Sequence, residues 1–525
     1  MKTATGDVLF ARDRQRWLAE VERLEPVLVG KMFPAECRLE AVADPSAFLG
    51  WAGRPVDGEV AGAVGPGGCW LDFGGHRVGR LRFAVSGVPA DAQFLAAAGE
   101  VLAEVCENPE AFPGRLGGEW LRAKPLASDP SQAGQLVMPD RRAARYVRLQ
   151  AVDAQGLGVP FTLDRAEFDA QSAAPFEDPP LPPDTSDADR LLDAVSLQTL
   201  RNCMHQVFED GPKRDRRLWL GDLYLQARAN YVSFNANDLV KRCLYLFAAT
   251  AHDDGIVSPC VFERPGWHGN HKVIPSYAWL LGPTLLDYAR ATGDFAAAAD
   301  LWPAARHQQT LFERFVDADG LFAPPAGAYW HFIDWHEKLH PLPAEQAVAV
   351  HGLGALATLA AELGDETEAA ALRRRRQELV DATRARFLDT LTGLLVAGPD
   401  RQAAWASVSW ATIAGVLSEA EAQRAFAALE DLGAAAVPPV TPFMQHMVVE
   451  ALLACGMRDA ARARVDAVWG QMLRRGADTF WEVFDPHDER RSPYGSHLHN
   501  SYCHAWSCTP TIFVRQGLLP AGSGS

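Results

Sequence analysis

The sequence contains no run of 18 apolar residues, no CxxC pair of cysteines and no excess of basic side chains. The missing apolar run argues against a membrane-spanning helix. The formal net charge of −16 argues against nucleic acid as the main partner, because phosphate binding needs a positive face. Nine scattered cysteines favour reduced thiols in a core over a disulfide framework or a zinc site. We therefore expect neither a membrane nor a nucleic-acid partner.

The two ends of the sequence show no recognisable targeting signal. The N-terminal MKTATGDVLFARDRQRW has one lysine but no apolar segment behind it, so we expect no secretory signal and a cytoplasmic protein. The closing AGSGS is typical of a flexible linker, and we assign 518–525 to a flexible tail. At 525 residues the chain can form two or three domains around a large core. Nothing in the sequence indicates an oligomeric state.

The composition changes near residue 180, which predicts two domains. Up to that point, glycine-punctuated apolar runs such as 67–87 and 144–152 are typical of short strands, so we expect a β-sandwich-like domain over 1–180. The segment FEDPPLPPDTSDADR (176–190) has four prolines and five acidic residues, which favours a linker. From 190 to 517 the chain is rich in alanine and leucine at helical spacing, which predicts a helical domain.

Three breaks in the helical region predict helical hairpins. ATGDF (291–295), ELGDE (362–366) and CGMRD (455–459) each place a glycine at a helix end and an acidic residue at the start of the next helix. The breaks do not follow a fixed short period, so a regular solenoid is not expected. About 330 residues can hold twelve helices with short connections, which fits a closed ring of six hairpins without requiring it.

Aromatic and polar residues concentrate in segments that we expect to be loops at one end of this helical region. These segments are GWHGNH (266–271), AYWHFIDWHEKLH (328–340), TPFMQHMVVE (441–450), DTFWEVFDPHDER (478–490) and SHLHNSYCHAW (496–506). No HExxH or other tight metal spacing occurs in them, so we expect no catalytic metal and no cofactor. Aromatic rings next to carboxylates in several loops favour a carbohydrate pocket.

Five fragments in chain order carry a resemblance to a known family. They are TLRN (199–202), DGPKRDRRLWLGD (210–222), IDW (333–335), TFWE (479–482) and HAW (504–506). Together they resemble the six-hairpin α-L-rhamnosidases of glycoside hydrolase family 78, and the likeness is weaker in the N-terminal region. The resemblance implies a mainly α fold with an (α/α)6 barrel, a carbohydrate substrate, and inverting hydrolysis that releases α-L-rhamnose or a related sugar by means of two carboxylates.

One departure from the family pattern concerns the general acid, which the family places on a glutamate four residues before the tryptophan. Counted back from Trp219, this position is Asp215. Counted forward from Asp210, it is Arg216, because this chain is one residue shorter in between. We expect Asp215 to be the acid, although its arginine neighbours oppose the protonated form that an acid needs. If Asp215 is only a salt-bridge partner, the proton donor is one of Asp222, Asp210 or Glu337.

Glu482 matches the position of the general base in the family, since it ends the TFWE fragment. An inverting base must activate a water on the face of the sugar opposite the leaving group. Aspartates would accept hydrogen bonds from sugar hydroxyls, tryptophans would stack on the ring, and an arginine could hold a carboxylate. On this basis we expect sugar contacts from Asp210, Arg214, Trp219, Asp222, Asp334, Trp335, His504 and Trp506.

Two other functions stay open from the sequence. A polysaccharide lyase on the same barrel would use arginines near the carboxylate of a uronate and a tyrosine or histidine as base. A sugar-binding protein that has lost its acid would bind without turnover. The products distinguish the three, because hydrolysis yields a reducing sugar and a lyase yields an unsaturated product that absorbs ultraviolet light.

Overall fold

A computed structural model describes residues 8–89, 92–128 and 134–520. The last five residues of the predicted tail, 521–525, lie outside the described residues. Leu518 and Leu519 belong to the same predicted tail but pack against the hydrophobic core.

The strands of the N-terminal part lie between residues 29 and 172, and the few later ones are short. They are β1 (Val29–Pro34), β2 (Cys37–Ala43), β3 (Trp51–Pro55), β4 (Gly62–Val64), β5 (Cys69–Ser86), β6 (Gln93–Gly99), β7 (Lys124–Pro125), β8 (Ala127–Ser128), β9 (Gln135–Val137), β10 (Arg142–Val152), β11 (Gly158–Val159), β12 (Phe161–Ser172), β13 (Leu218–Trp219), β14 (Cys260–Phe262), β15 (His268–Gly269), β16 (Val396–Ala397) and β17 (Gln402–Ala403).

Most α-helices follow residue 186. They are α1 (Ala11–Arg23), α2 (Ala103–Cys106), α3 (Asp187–Asn202), α4 (Leu220–Tyr231), α5 (Asn237–Ala249), α6 (Pro275–Thr292), α7 (Phe295–His307), α8 (Gln309–Glu313), α9 (Leu342–Glu362), α10 (Glu366–Phe387), α11 (Trp405–Ile413), α12 (Glu419–Leu432), α13 (Pro442–Ala454), α14 (Arg458–Val465), α15 (Gln471–Arg474) and α16 (Pro510–Arg515). None of these described helices combines the length and apolar character of a membrane span.

Strands β1–β12 form one connected antiparallel network, which confirms the sheet-rich character predicted for the N-terminal region. The long strand β5 is its centre, since it pairs with β10 near one end and with β12 near the other. Gly79 lies where these pairings meet, and a Cβ atom there would be 1.9 Å from the carbonyl oxygen of Asp169. Only glycine therefore permits the close approach of β12. Helix α1 is an element that the sequence patterns did not predict, and its Trp17 is fully buried against the helical part of the chain.

The three predicted helical breaks are confirmed. Gly293 adopts φ 75° at the end of α6, and Asp294 then caps α7 by accepting from the backbone N–H of Ala297. Gly364 and Asp365 do the same between α9 and α10. The left-handed conformation ends one helix, and the carboxylate satisfies a free N–H at the start of the next.

The helices after residue 186 pair into antiparallel hairpins with a regular order of contacts. Helices α4, α6, α9, α11 and α13 contact one another in that sequence, and each also contacts the helix that follows it. Helix α16 contacts both α3 and α4, and the 3-10 turn Ala505–Ser507 contacts α13 and α4. The end of the chain thus meets the beginning of the helical part.

Composition explains which helix of a hairpin is buried. Helix α9, LPAEQAVAVHGLGALATLAAE, is apolar on nearly all sides and is buried along most of its length. Its partner α10, ETEAAALRRRRQELVDATRARF, buries only a narrow stripe. A helix that is apolar all round belongs in an interior, whereas an amphipathic helix covers it.

A buried ion pair joins the last helix to α3. Arg515 donates from Nε and Nη2 to the two carboxylate oxygens of Asp193, each at 2.8 Å, and Thr511 donates to the same carboxylate at 2.6 Å. Both charged side chains are less than one-tenth exposed.

Asp193→Ala should lower the free energy of unfolding by about 3–5 kcal/mol, because it leaves the Arg515 charge buried without a partner. Urea unfolding followed by circular dichroism measures the loss. Asp187→Ala, an exposed carboxylate in the first turn of the same helix, is the matched control and should cost less than about 1 kcal/mol. Equal losses in the two variants would contradict the role of the ion pair.

Candidate active site

The segment 210–217 forms a tight loop just before β13 and α4. The Asp210 N–H donates to the carbonyl of Arg217, and the Arg217 N–H donates back to Asp210 Oδ1 at 3.1 Å. A Cβ atom on Gly211 would lie 2.9 Å from the Ser501 hydroxyl, so this position favours glycine. Arg216 has φ 53°, a left-handed conformation that is uncommon for a residue other than glycine. The loop is therefore closed at its base and turns sharply at Arg216.

This loop forms one wall of a narrow cavity of about 40 Å³. We call this cavity the inner pocket. The structure brings eight of the ten predicted site residues to its lining. They are Asp210, Asp215, Trp219, Asp222, Trp335, Glu482, His504 and Trp506.

Arg214, the ninth predicted site residue, lies directly behind this lining and forms ion pairs with two of its carboxylates. Its Nη2 donates to Glu482 Oε2 at 2.8 Å, and its Nη1 lies 3.0 Å from Asp215 Oδ1. Its Nε donates to the carbonyl of His499 at 2.9 Å, and the guanidinium lies 4.3 Å from the centre of the Tyr494 ring. One buried cation is thus shared by the two residues predicted to be base and acid.

Glu482 is buried and fully hydrogen-bonded. Besides Arg214, it accepts from the Ser501 N–H at 2.9 Å and from the Tyr494 hydroxyl. Burial favours the neutral form of this carboxyl. The charge of Arg214 and the hydrogen bonds from Tyr494 and Ser501 outweigh burial and hold the pKa of Glu482 below its ordinary value. Glu482 is therefore ionised at neutral pH.

The pKa values of Asp210 and Asp222 shift in the opposite direction to that of Glu482, although all three residues line the same pocket. Burial, followed by the nearby carboxylates of Asp215 and Asp222, raises the pKa of Asp210 well above its ordinary value. Burial and the charge of Glu482 do the same to the pKa of Asp222. Asp222 Oδ1 lies 3.6 Å from His504 Nδ1 and has no hydrogen-bond partner among the described residues. Burial lowers the pKa of His504 to about 4, so that ring is neutral.

Asp215 differs from Asp210 and Asp222 because its side chain is partly exposed. Its side chain is 26% exposed and is paired with Arg214 at 3.0 Å and with Arg217 at 4.0 Å. It is thus the salt-bridge partner that the sequence allowed and also part of the pocket lining. Arg216, the other residue at the shifted family position, is not in this lining, and Glu337 lies exposed on a loop outside it.

The predicted sugar contact of Asp334 has no support in the geometry. This carboxylate is buried and accepts from the backbone N–H groups of Trp335, Val440 and Thr441 and from the Thr441 hydroxyl. Both oxygens are used in fixing the loop to the start of α13, so Asp334 positions the neighbouring Trp335 rather than facing the inner pocket.

Several pocket residues escaped the sequence analysis, namely Ile274, Tyr277, Trp330, Phe332 and Tyr494. Trp330 and Phe332 lie within the aromatic segment 328–340. The sequence analysis selected this segment but did not single out these two residues. Tyr494 falls between two of the selected segments, and Tyr277 is an ordinary aromatic on α6. In the part of the chain that the structure describes, no group of three or more His, Cys, Asp or Glu side chains could hold a metal ion.

Comparisons with known proteins agree with this geometry. Residues 184–518 match the family described as the bacterial alpha-L-rhamnosidase 6 hairpin glycosidase domain, and residues 39–166 match the glycosyl hydrolase family 78 alpha-rhamnosidase N-terminal domain. No curated protein sequence matches the chain.

Among solved structures, the chain is similar to a rhamnosidase from Klebsiella oxytoca with rhamnose bound, at 38% identity and a TM-score of 0.88 over 96% of this chain and 98% of that one. It also shares its fold with the family 78 rhamnosidase of Bacillus sp. GL1, at 24% identity and a TM-score of 0.73 over 88% of this chain and 49% of that one. A third similar structure is the Streptomyces avermitilis alpha-L-rhamnosidase complexed with L-rhamnose, at 17% identity and a TM-score of 0.65 over 93% and 44%.

Arg214→Gln should lower the free energy of unfolding by about 3–5 kcal/mol at pH 7, because it leaves the Glu482 carboxylate buried without its cation. The pKa of Glu482 is lowered in the folded state. The stabilisation is therefore present above the ordinary value of 4.5 and is lost as the pH falls through the folded value. Urea unfolding at pH 7 and at about pH 4 should thus show a smaller loss at the lower pH.

Arg217→Gln is the matched control, since this side chain is 34% exposed and 4.0 Å from its carboxylate. It should cost no more than about 1 kcal/mol at either pH. A loss for Arg214→Gln that does not change with pH would show that the guanidinium acts through packing alone.

Proposed function

Because this chain belongs to the bacterial six-hairpin α-L-rhamnosidases of glycoside hydrolase family 78 and is therefore a glycosidase, we propose that it releases α-L-rhamnose, or a related sugar, by inverting hydrolysis. Glu482 is the general base and Asp215 the general acid in this proposal. The observation that carries it is the shared contact of both carboxylates with Arg214 at the wall of one pocket that tryptophans also line.

The shared contact with Arg214 sets an upper limit to the separation of the two carboxylates, and this limit admits both the inverting geometry and the shorter one of retaining enzymes. Their nearest oxygens are bonded to different nitrogens of one guanidinium, at 3.0 and 2.8 Å. With ordinary bond lengths inside the guanidinium, these oxygens are no more than about 8.5 Å apart. Inverting glycosidases need about 6.5–9.5 Å between the carboxyl groups, so that a water fits between the base and the sugar.

The protonation states support the division of roles. Glu482 is ionised, as a base must be, and its hydrogen bonds from Tyr494 and Ser501 fix its orientation. In the reaction, Glu482 takes a proton from water as that water attacks the anomeric carbon, and Asp215 gives a proton to the departing oxygen. Asp210 and Asp222, whose pKa values are raised by burial, serve as hydrogen-bonding partners for sugar hydroxyls.

Position favours Asp215 over Asp222 as the acid. The glycosidic oxygen must lie where the inner pocket meets the space that receives the leaving group. Asp215 lines both the inner pocket and the larger cavity beside it, whereas Asp222 lines only the first. Asp222 is 2% exposed, and so belongs to the pocket floor. Geometry decides which carboxylate can reach the oxygen, and a bound sugar would further bury Asp215.

The proposal includes the architecture. Residues from about 190 to 517 form an (α/α)6 barrel, with 1–180 as an N-terminal β-sandwich-like domain. The sequential contacts of α4, α6, α9, α11 and α13, and the return of α16 to α3 and α4, support a closed ring.

Glu482→Gln should reduce kcat by roughly a factor of 10²–10⁴ at every pH, because no other group would activate the water. Asp215→Asn should lose far less on p-nitrophenyl α-L-rhamnoside than on a rhamnosyl disaccharide, since nitrophenolate leaves without a proton. Rates on both substrates, with anomeric products followed by NMR, test the pair. Release of an unsaturated product that absorbs ultraviolet light would instead indicate a lyase.

Asp222→Asn is the matched control for the acid, because it makes the same change at the neighbouring carboxylate. A binding residue should lose comparable activity on the activated and the natural substrate. If Asp222→Asn rather than Asp215→Asn spares the nitrophenyl substrate, then Asp222 is the acid.

Trp335→Ala should raise KM clearly more than it lowers the melting temperature, because stacking on the sugar is lost while the scaffold stays packed. Trp335 is only partly buried and lines the inner pocket. Trp410→Ala, at a position 1% exposed in the core, is the control and should mainly lower stability. A Trp335 variant that is destabilised as strongly as the control would make Trp335 a packing residue.

A further inference from the structure

A second and larger cavity adjoins the inner pocket. It has a volume of about 800 Å³ and lies between the N-terminal sheet and the loop 213–217. We call it the outer cleft. Among the described residues, Asp215 alone lines both cavities. A group attached to a sugar in the inner pocket would therefore extend past Asp215 into the outer cleft, which makes this cleft the place of the leaving group.

The outer cleft is basic, although the chain as a whole is acidic. Its lining includes nine lysine or arginine side chains and five carboxylates, in a chain with a formal net charge of −16. Three of these cations have buried carboxylate partners within 3 Å, namely Arg141, Lys213 and Arg214. The other lysine and arginine side chains of the lining have only distant or exposed carboxylate partners, or are compensated by solvent.

Arg142 is the clearest case of a donor without an acceptor. It is 8% exposed, and its Nη1 donates to the carbonyl of Trp120 at 3.3 Å. Its Nη2 lies 3.7 Å from the exposed carboxylate of Asp140, which is too far for a hydrogen bond. Nε and Nη2 have no hydrogen-bond partner among the described residues. Buried donors that lack an acceptor are costly, so this guanidinium is well suited to receive one from a ligand.

Arg216 adds a second such charge on the same cleft. Its Nε and Nη2 donate to the main-chain carbonyls of Pro212 and Arg141, each at 2.8 Å. It forms no ion pair with any carboxylate of the described chain within salt-bridge distance. Burial and the charge of Arg141, partly offset by Glu209, lower the pKa of Arg216 to about 10. The guanidinium groups of residues 141, 142 and 216 thus repel one another, and an anion between them would relieve that repulsion.

We propose that the outer cleft binds an anionic leaving group, so that the preferred substrates carry the rhamnose on a sugar with a carboxylate or a sulfate. The inference rests on the proposed rhamnosidase function. Arg142 and Arg216 hold the anion by charge-assisted hydrogen bonds, to which the planar guanidinium is suited. They select the leaving group and take no part in proton transfer.

The test compares three disaccharides in which rhamnose is joined by the same α-linkage to glucuronate, to its methyl ester or to a sulfated glucose. The full-length enzyme should show a kcat/KM for the glucuronate conjugate about tenfold above that for the ester at low salt. High salt should reduce this ratio, because it screens the partly exposed charges. Arg142→Gln and Arg216→Gln should each lower the same ratio several-fold.

Arg424→Gln is the charge-matched control, since Arg424 is exposed on α12 outside the lining of the cleft. It should leave the ratio unchanged. If one cleft variant fails to fold, the other variant and the salt dependence of the unaltered enzyme still decide. A preference for both the glucuronate and the sulfated conjugate supports a general anion site, and a preference for the glucuronate alone supports a site for uronates.

p-Nitrophenyl α-L-rhamnoside, which has no charged leaving sugar, separates this inference from the proposed function. Hydrolysis of this substrate together with equal kcat/KM values for acid and ester would overturn the anion site and leave the rhamnosidase assignment intact. No hydrolysis of any of the four substrates would overturn both.

Discussion

The Arg214 guanidinium is the interaction on which the rest of the pocket depends. A buried carboxylate is stable only with a compensating charge or with its proton, and four carboxylates line this small space. Arg214 contacts Glu482 and Asp215 directly, and against the effect of burial it holds the pKa of Glu482 below its ordinary value, whereas burial raises the pKa values of Asp210 and Asp222. The position of one cation thus distinguishes the proposed base from two carboxyl groups of the same pocket that it does not contact.

The N-terminal sheet is what keeps this cation in place. Lys213, the residue before Arg214, is buried, and its ammonium lies 2.5 Å from Glu104 and 3.3 Å from Glu100, both of which follow strand β6. Glu100 also pairs with the buried His76 of strand β5 at 3.0 Å. These charges cannot be satisfied by the helical part alone, so the sheet contributes directly to the site. It also supplies Arg142 at the start of β10, and therefore one wall of the outer cleft.

The sequence predicted the features that depend on neighbouring residues, such as helix ends and short site fragments. Glycine and acid at helix ends placed the breaks at Gly293 and Gly364, and the short fragments placed Glu482 and Trp335 at one pocket. Asp334 was misplaced, because nothing in IDW shows that neighbouring N–H groups of a distant helix start use both of its oxygens. Tyr494 was missed for a similar reason, since its hydroxyl gains importance only through a contact with Glu482 that the fold creates. Sequence spacing carries no information on such contacts.

The two residues that compete for the family's acid position, Asp215 and Arg216, contribute to two different cavities. The chain turns at Arg216 with φ 53°, and the consecutive side chains of Asp215 and Arg216 reach different cavities. Asp215 remains at the inner pocket, where it replaces the glutamate of the family as the proposed acid. Arg216, which the forward count placed at the acid position, lines only the outer cleft. Arg216 is therefore not placed for proton transfer in the inner pocket but adds a cation to the surface that the departing group must cross in the proposed reaction.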